Sequence, residues 1–96
     1  MTRQMIRSYR SRALERFALT GNRRVLSVQK PERIERLLKA LQAASRPGAM
    51  DLPSLRFHPL KGVDKGRYAI WVSENWRLTF GWNGVDAIDV DLEDYH

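Results

Sequence analysis

The sequence predicts an α+β fold, with two helices in the first half packed on an antiparallel sheet built by the second. Apolar spacing carries this reading. Leu14, Phe17 and Ala18 recur at i, i+3, i+4, and Ile34, Leu37, Leu38 and Leu41 at i, i+3, i+4, i+7, the period of one helix face. From Tyr68 onward the period becomes two. Tyr68/Ile70/Val72, Trp76/Leu78/Phe80 and Ile88/Val90/Leu92 each mark one face of a strand. At 96 residues and 43% hydrophobic content the chain reads as one domain, 1–96, able to bury about two-thirds of its unfolded surface.

Local signals place the elements. Met5-Ile6-Arg7-Ser8-Tyr9 alternates weakly and reads as a short strand. Ser11 suits a helix N-cap, because its hydroxyl can accept from an amide that the helix leaves orphaned; Gly21-Asn22 ends that helix. Pro31 suits the first turn of the second helix, where a missing N–H loses no bond, and Ser45-Arg46-Pro47-Gly48 stops it. Arg33, Arg36 and Lys39 fall on its polar side. Only a few residues join the helices, so they should pack as a hairpin against the strands. Residues 50–66 read as loop, punctuated by Pro53, Pro59, Gly62 and Gly66, with Leu55 and Phe57 in a short strand that ends at the proline.

Face parity sets the turns. Val72 and Trp76 oppose each other only across a three-residue turn, Ser73-Glu74-Asn75; a two-residue loop would set Trp76 against Ser73. By the same rule Ile88, Val90 and Leu92 meet Phe80, Leu78 and Trp76 if Asn83-Gly84-Val85 is a three-residue loop with Gly84 left-handed. In that register Arg77 lies between Trp71 and Asp91 on the face away from the helices, with Thr79 beside Asp89.

Composition narrows the function classes. No run of about 18 apolar residues exists, so a membrane span is not expected, and Met1-Thr2-Arg3-Gln4-Met5 lacks the apolar core of a secretory signal. The chain has no cysteine, hence no disulfide or thiolate metal site, which suits a reducing, cytoplasmic compartment. The formal net charge is +6, but residues 1–48 carry +9 and residues 49–96 carry −3; thirteen of seventeen basic residues are Arg. Arginine favours bidentate contacts to phosphate or carboxylate, so a polyanion partner competes with a merely solvated basic surface.

The chemistry-bearing groups are His58, Lys61, Arg77, Asp94, Tyr95 and His96. Neither a paired-histidine zinc spacing, an acidic cation loop, a phosphate-cradling glycine loop nor a recognisable nucleophilic serine is present, so cofactor-free and metal-free chemistry is expected. RNA can be cut that way. Its 2′-hydroxyl is an internal nucleophile, and the protein needs only a base, an acid for the leaving 5′-oxygen, and cations for the phosphoryl charge. Histidine fills either proton role; Lys61 and Arg77 suit the phosphate; Asp94 and Tyr95 could orient a histidine or act directly. Individually these residues have ordinary readings, a turn histidine, a solvated lysine, a polar tail.

Phe57-His58-Pro59-Leu60-Lys61-Gly62, Glu74-Asn75-Trp76-Arg77-Leu78-Thr79-Phe80 and Val90-Asp91-Leu92-Glu93-Asp94-Tyr95-His96 together resemble the HigB toxins of the RelE/ParE superfamily. Three coupled motifs in order span the second half, and the two-helix first half fits the layout. The resemblance implies a curved, mainly antiparallel sheet under two helices. It further implies a type II toxin that cleaves mRNA in the ribosomal A site, silenced by a HigA-type helix-turn-helix antitoxin through which alone it meets DNA. On this resemblance His58, Lys61, Asp94, Tyr95 and His96 are catalytic, and Arg77 with Lys61 binds the phosphate at one end of the sheet. Two other readings compete: a non-catalytic toxin that binds another target such as DNA gyrase, and a nucleic-acid-binding module docking through Arg33 and Arg36.

Overall fold

The structure, a computed structural model, describes residues 6–26, 28 and 31–94. Helix α1 spans Arg12–Thr20 and α2 spans Pro31–Ala43. Both begin and end where the local chemistry predicts. The Leu14 amide donates to Ser11 Oγ at 3.1 Å, and Gly21 closes α1 at φ +72 with its N–H on the Phe17 carbonyl. Leu14 and Phe17 of α1, and Ile34, Leu37, Leu38 and Leu41 of α2, are buried. The two helices also line a common cavity of about 160 Å³, with Phe17 and Ala18 on one side and Leu38 and Gln42 on the other.

Four strands, β1 (His58–Pro59), β2 (Arg67–Trp71), β3 (Trp76–Asn83) and β4 (Asp86–Asp94), form an antiparallel meander in that order. One face meets the helices. Ile70, Leu78, Phe80 and Val90 are fully buried there with Leu14, Ile34, Leu41 and Met50. An aromatic file, Phe57–Tyr68–Phe80–Trp82, crosses the same face with ring centroids 5.5, 5.7 and 6.4 Å apart. Such contacts add to the area buried and fix how neighbouring strands stack.

Two expectations about strands are corrected. The short strand before the sheet is His58–Pro59, not Leu55 with Phe57; Ser54 and Arg56 take φ +67 and +51, so the chain is not extended until His58. Pro59 is tolerated because β1 is an edge strand and needs no inward N–H there. The opening segment forms isolated parallel bridges, Ile6 to Ala87 and Tyr9 to Val90, rather than a regular strand. Met5 lies outside the described residues.

The turn readings divide. Val72 does face Trp76 across Ser73-Glu74-Asn75, since the Val72 amide donates to the Trp76 carbonyl at 3.0 Å. Asn83 pairs with Asp86, however, leaving a two-residue tip of Gly84 (φ +66) and Val85 instead of a three-residue loop. Parity is restored farther along. The β3–β4 register shifts between Thr79 and Gly81, where Asp89 adopts φ +50 as an extra residue. Ile88 therefore turns away from the core to cover Gly81, while Ala87 and Val90 are both wholly buried.

This kink is held by the start of the chain. The Asp89 amide donates to Ser8 Oγ at 2.8 Å, the Ser8 hydroxyl donates to Asp89 Oδ1 at 3.3 Å, and the Val90 amide donates to the Ser8 carbonyl at 3.1 Å. Left-handed backbone is costly for a β-branched residue. Chemical denaturation should therefore show Asp89→Val less stable than Asp89→Gly by about 1–2 kcal/mol.

Tyr9 lies beside the same strand, hydrogen-bonded to Gln42 of α2, and burial raises its phenol above the ordinary value of 10.0, with Glu15 adding to the rise. A raised phenol stabilises the fold fully below the unfolded pKa and loses that contribution as pH climbs through the folded one. Urea unfolding should thus show stability falling above pH ~10. In Tyr9→Phe that alkaline fall should be shallower, although its stability at neutral pH is lower for want of the Gln42 bond.

Candidate active site

The face of the sheet turned away from the helices has a small-residue centre and a charged surround. Ala69, Thr79 and Gly81 form the centre, all buried. Around them, register places His58 of β1, Arg67 and Trp71 of β2, Arg77 of β3, and Asp91 and Glu93 of β4. One row runs His58–Ala69–Thr79–Asp91, and the next runs Trp71–Arg77–Glu93. The expectation that Arg77 opposes Asp91 and Thr79 sits beside Asp89 is corrected: the two-residue tip and the Asp89 bulge each advance β4 by one place, so that Glu93 faces Arg77 and Asp91 faces Thr79.

Arg77 stands where β3 leaves its turn. Its Nη1 donates to the Ser73 carbonyl at 2.7 Å and the Trp76 carbonyl at 3.0 Å, so the guanidinium is fastened to the turn that starts its own strand. Those bonds come in addition to the flanking expected of it, which the register keeps with Trp71 on one side and Glu93, in place of Asp91, on the other. His58 is exposed on the edge strand, and its Nδ1 lies 2.9 Å from the Arg56 carbonyl. If that nitrogen carries the proton, Nε2 is the ring position left to exchange a proton with a substrate.

The remaining residues of the set spread out. Asp94 ends β4 opposite Trp76, which by register puts it on the helix-side face at the same end as Arg77. Lys61 is exposed beyond β1, where Leu60 bonds Arg67 at the start of β2, about 13 Å along the strand from the Trp71–Arg77 row. A gathering of the whole set at one end of the sheet is therefore corrected: Arg77 and Asp94 share an end, His58 is in the row beside them, and Lys61 enters from the opposite end. Tyr95 and His96 lie outside the described residues.

Two residues of this face, Arg67 and Glu93, escaped the sequence reading, as did the part Thr79 plays in joining them. Arg67, only 8% exposed, donates from Nη2 to Thr79 Oγ1 at 3.0 Å, and the Thr79 hydroxyl donates to Glu93 Oε2 at 2.6 Å. This chain of bonds crosses three strands and ties the end of β4 to the sheet centre. Alternation alone puts Arg67 on the Trp71 face and Thr79 on the Arg77 face, so that signal was available. Glu93 needed the bulge. Thr79→Val removes the shared hydroxyl and leaves both partners short of a bond, and calorimetry should show a loss of about 1–3 kcal/mol.

Helices on one side of an antiparallel meander, with basic and acidic groups collected on the other, make an α+β layout that solved structures share. The backbone superposes on the crystal structure of a point mutant of YafQ from E. coli with a TM-score of 0.64 over 96% of this chain and 93% of that one, at 17% identity. A family model described as the RelE-like toxin of type II toxin–antitoxin system HigB matches residues 7–96. The chain is also 34% identical over 92 residues to the Endoribonuclease HigB of Proteus vulgaris, spanning 96% of this chain and all of that protein. It belongs to the HigB-like toxins, the toxin halves of type II toxin–antitoxin pairs.

Proposed function

We propose that this protein is a ribosome-dependent mRNA endonuclease that cuts in the A site by attack of a substrate 2′-hydroxyl. The observation carrying this reading is Arg77, fixed by the carbonyls of its turn on the same sheet face as His58. A guanidinium held before substrate arrives needs little reorganisation when charge builds on a phosphoryl group. Arg77 binds the scissile phosphate, and Lys61 reaches the same strand of RNA from the other end of the sheet. His58, Asp94, Tyr95 and His96 share the proton transfers at the 2′-hydroxyl and the leaving 5′-oxygen, with Tyr95 able to contact a base. Because the nucleophile belongs to the substrate, the reaction requires neither metal nor cofactor.

The curated relative named an endoribonuclease supports the chemistry, and the motif residues His58, Lys61, Arg77, Asp94, Tyr95 and His96 are all present. The partners of this reading are the ribosome, mRNA and a HigA-type helix-turn-helix antitoxin, with DNA met only through the antitoxin. The single domain acts in the cytoplasm; no helix among the described residues is long and apolar enough to cross a membrane. The competing reading, a non-catalytic binder of a target such as gyrase, has no use for an arginine and a histidine set on one face for phosphate chemistry.

Cleavage of mRNA on purified ribosomes tests this. Arg77→Ala should lower the single-turnover rate by about 10²–10³, the loss usual for one preorganised charge-stabilising donor. His96→Ala should abolish codon-phased cuts, and a ribosome-free lane should show none. Cuts in free RNA would remove the ribosome from the mechanism, and intact mRNA in every lane would favour the non-catalytic binder.

A further inference from the structure

Trp71 stands directly across from Arg77 in the β2–β3 register. Two arginines from separate parts of the chain converge on its ring. The Arg33 guanidinium carbon, from the first turn of α2, lies 5.5 Å from the ring centroid, and that of Arg56, from the loop before β1, lies 5.3 Å away. An arginine stacked on an indole keeps its N–H donors along its own edge, where they can fork onto an oxyanion.

Three features of this cluster are unexplained by packing. Among the described residues, neither Arg33 nor Arg56 has a carboxylate within ion-pair distance, and Glu93, the acid nearest in register, accepts from Thr79. Arg33 Nε is buried without a hydrogen-bond partner. Arg56 holds φ +51, a backbone conformation that side chains other than glycine seldom adopt, and strain of that kind persists where a site requires it. Two like charges drawn to one ring, with no carboxylate to neutralise them, call for an anion.

We propose that Arg33 and Arg56, held on Trp71, form a second phosphate subsite that binds a phosphodiester of the RNA strand flanking the scissile phosphate. The subsite rests on the nuclease reading for the identity of the strand. A neighbouring strand of a sheet is about 4.8 Å away, so a chain of phosphates seated on Arg77 passes this cluster next. Stacking serves to present the guanidinium edges, while the ring itself is covered by cations and so is not a platform for a base.

Fluorescence anisotropy with a labelled 2′-O-methyl RNA oligonucleotide, which cannot be cleaved, measures binding apart from catalysis. Arg33→Met and Arg56→Met should each weaken binding about tenfold, and each should reduce the log–log salt slope by about 0.7, the value for one lost phosphate contact on a single strand. Arg33→Lys and Arg56→Lys, which keep the charge and the stem but not the fork, should fall between. Arg12→Met and Arg16→Met on exposed parts of α1 serve as controls with smaller losses. The proposal is overturned if the Met variants, at unchanged salt slope, merely melt at lower temperature, if the α1 controls lose as much, or if the wild-type protein binds no oligonucleotide. Cleavage of unmodified mRNA by the wild-type protein is scored separately. Its absence alongside the expected binding pattern sinks the nuclease reading and with it the flanking of a scissile phosphate, while the binding of an RNA phosphodiester by Arg33 and Arg56 stands.

Discussion

The register of β4 depends on one contact, Ser8 against Asp89. Two side-chain bonds and the Val90 amide hold the chain there while Asp89 sits at φ +50, and the bulge this creates moves every later residue of β4 by one place along β3. Together with the two-residue tip, this sets Glu93 rather than Asp91 against Arg77, Leu92 against Leu78, and Asp94 against Trp76. The contact joins residues 81 positions apart. Its loop-closure entropy is offset by the sheet and helix contacts that the same closure brings together.

Charge on the second face is organised in two different ways. Arg67 is committed to Thr79 and, through it, to Glu93, an internal polar chain that holds the end of β4 to the sheet centre. Arg67 Nε already lacks a partner among the described residues, and shifting the strand by one place would also part Thr79 from Glu93, so the chain of bonds favours one position of the strand over its neighbours. Arg33 and Arg56 are held instead by an aromatic ring. A ring orients a cation without neutralising it. A cluster built this way stays attractive to a polyanion, whereas the same two arginines paired with carboxylates would not.

Much of the fold is legible because its signals are local. The Ser11 cap, the Gly21 stop, the Leu stripe of α2 and the three-residue turn after Val72 each follow from a few neighbouring residues, and each is present in the structure. The loop after Asn83 differs for an instructive reason. Strict alternation from Phe80 to Leu92 makes a two-residue tip bury Asp89 and Asp91, and so argues against it. A single left-handed Asp89 removes the conflict, and nothing near Asp89 in sequence signals it, since the residue that stabilises it is Ser8.

The sequence by itself determined the two helices and the three long strands, the core faces of β2 and β3, the basic first half, and the motifs by which the chain resembles the HigB toxins. These rest on periodicity, capping and composition, which act over one or two turns of chain. Only the tertiary structure decided which acid faces Arg77, that Lys61 enters from the end opposite Arg77, that Arg67 is buried in a bonded chain, and that Arg33 and Arg56 meet on Trp71. Each of those depends on contacts between segments far apart in the chain. Their partners are chosen by strand register and helix docking, neither of which leaves a mark in the local sequence.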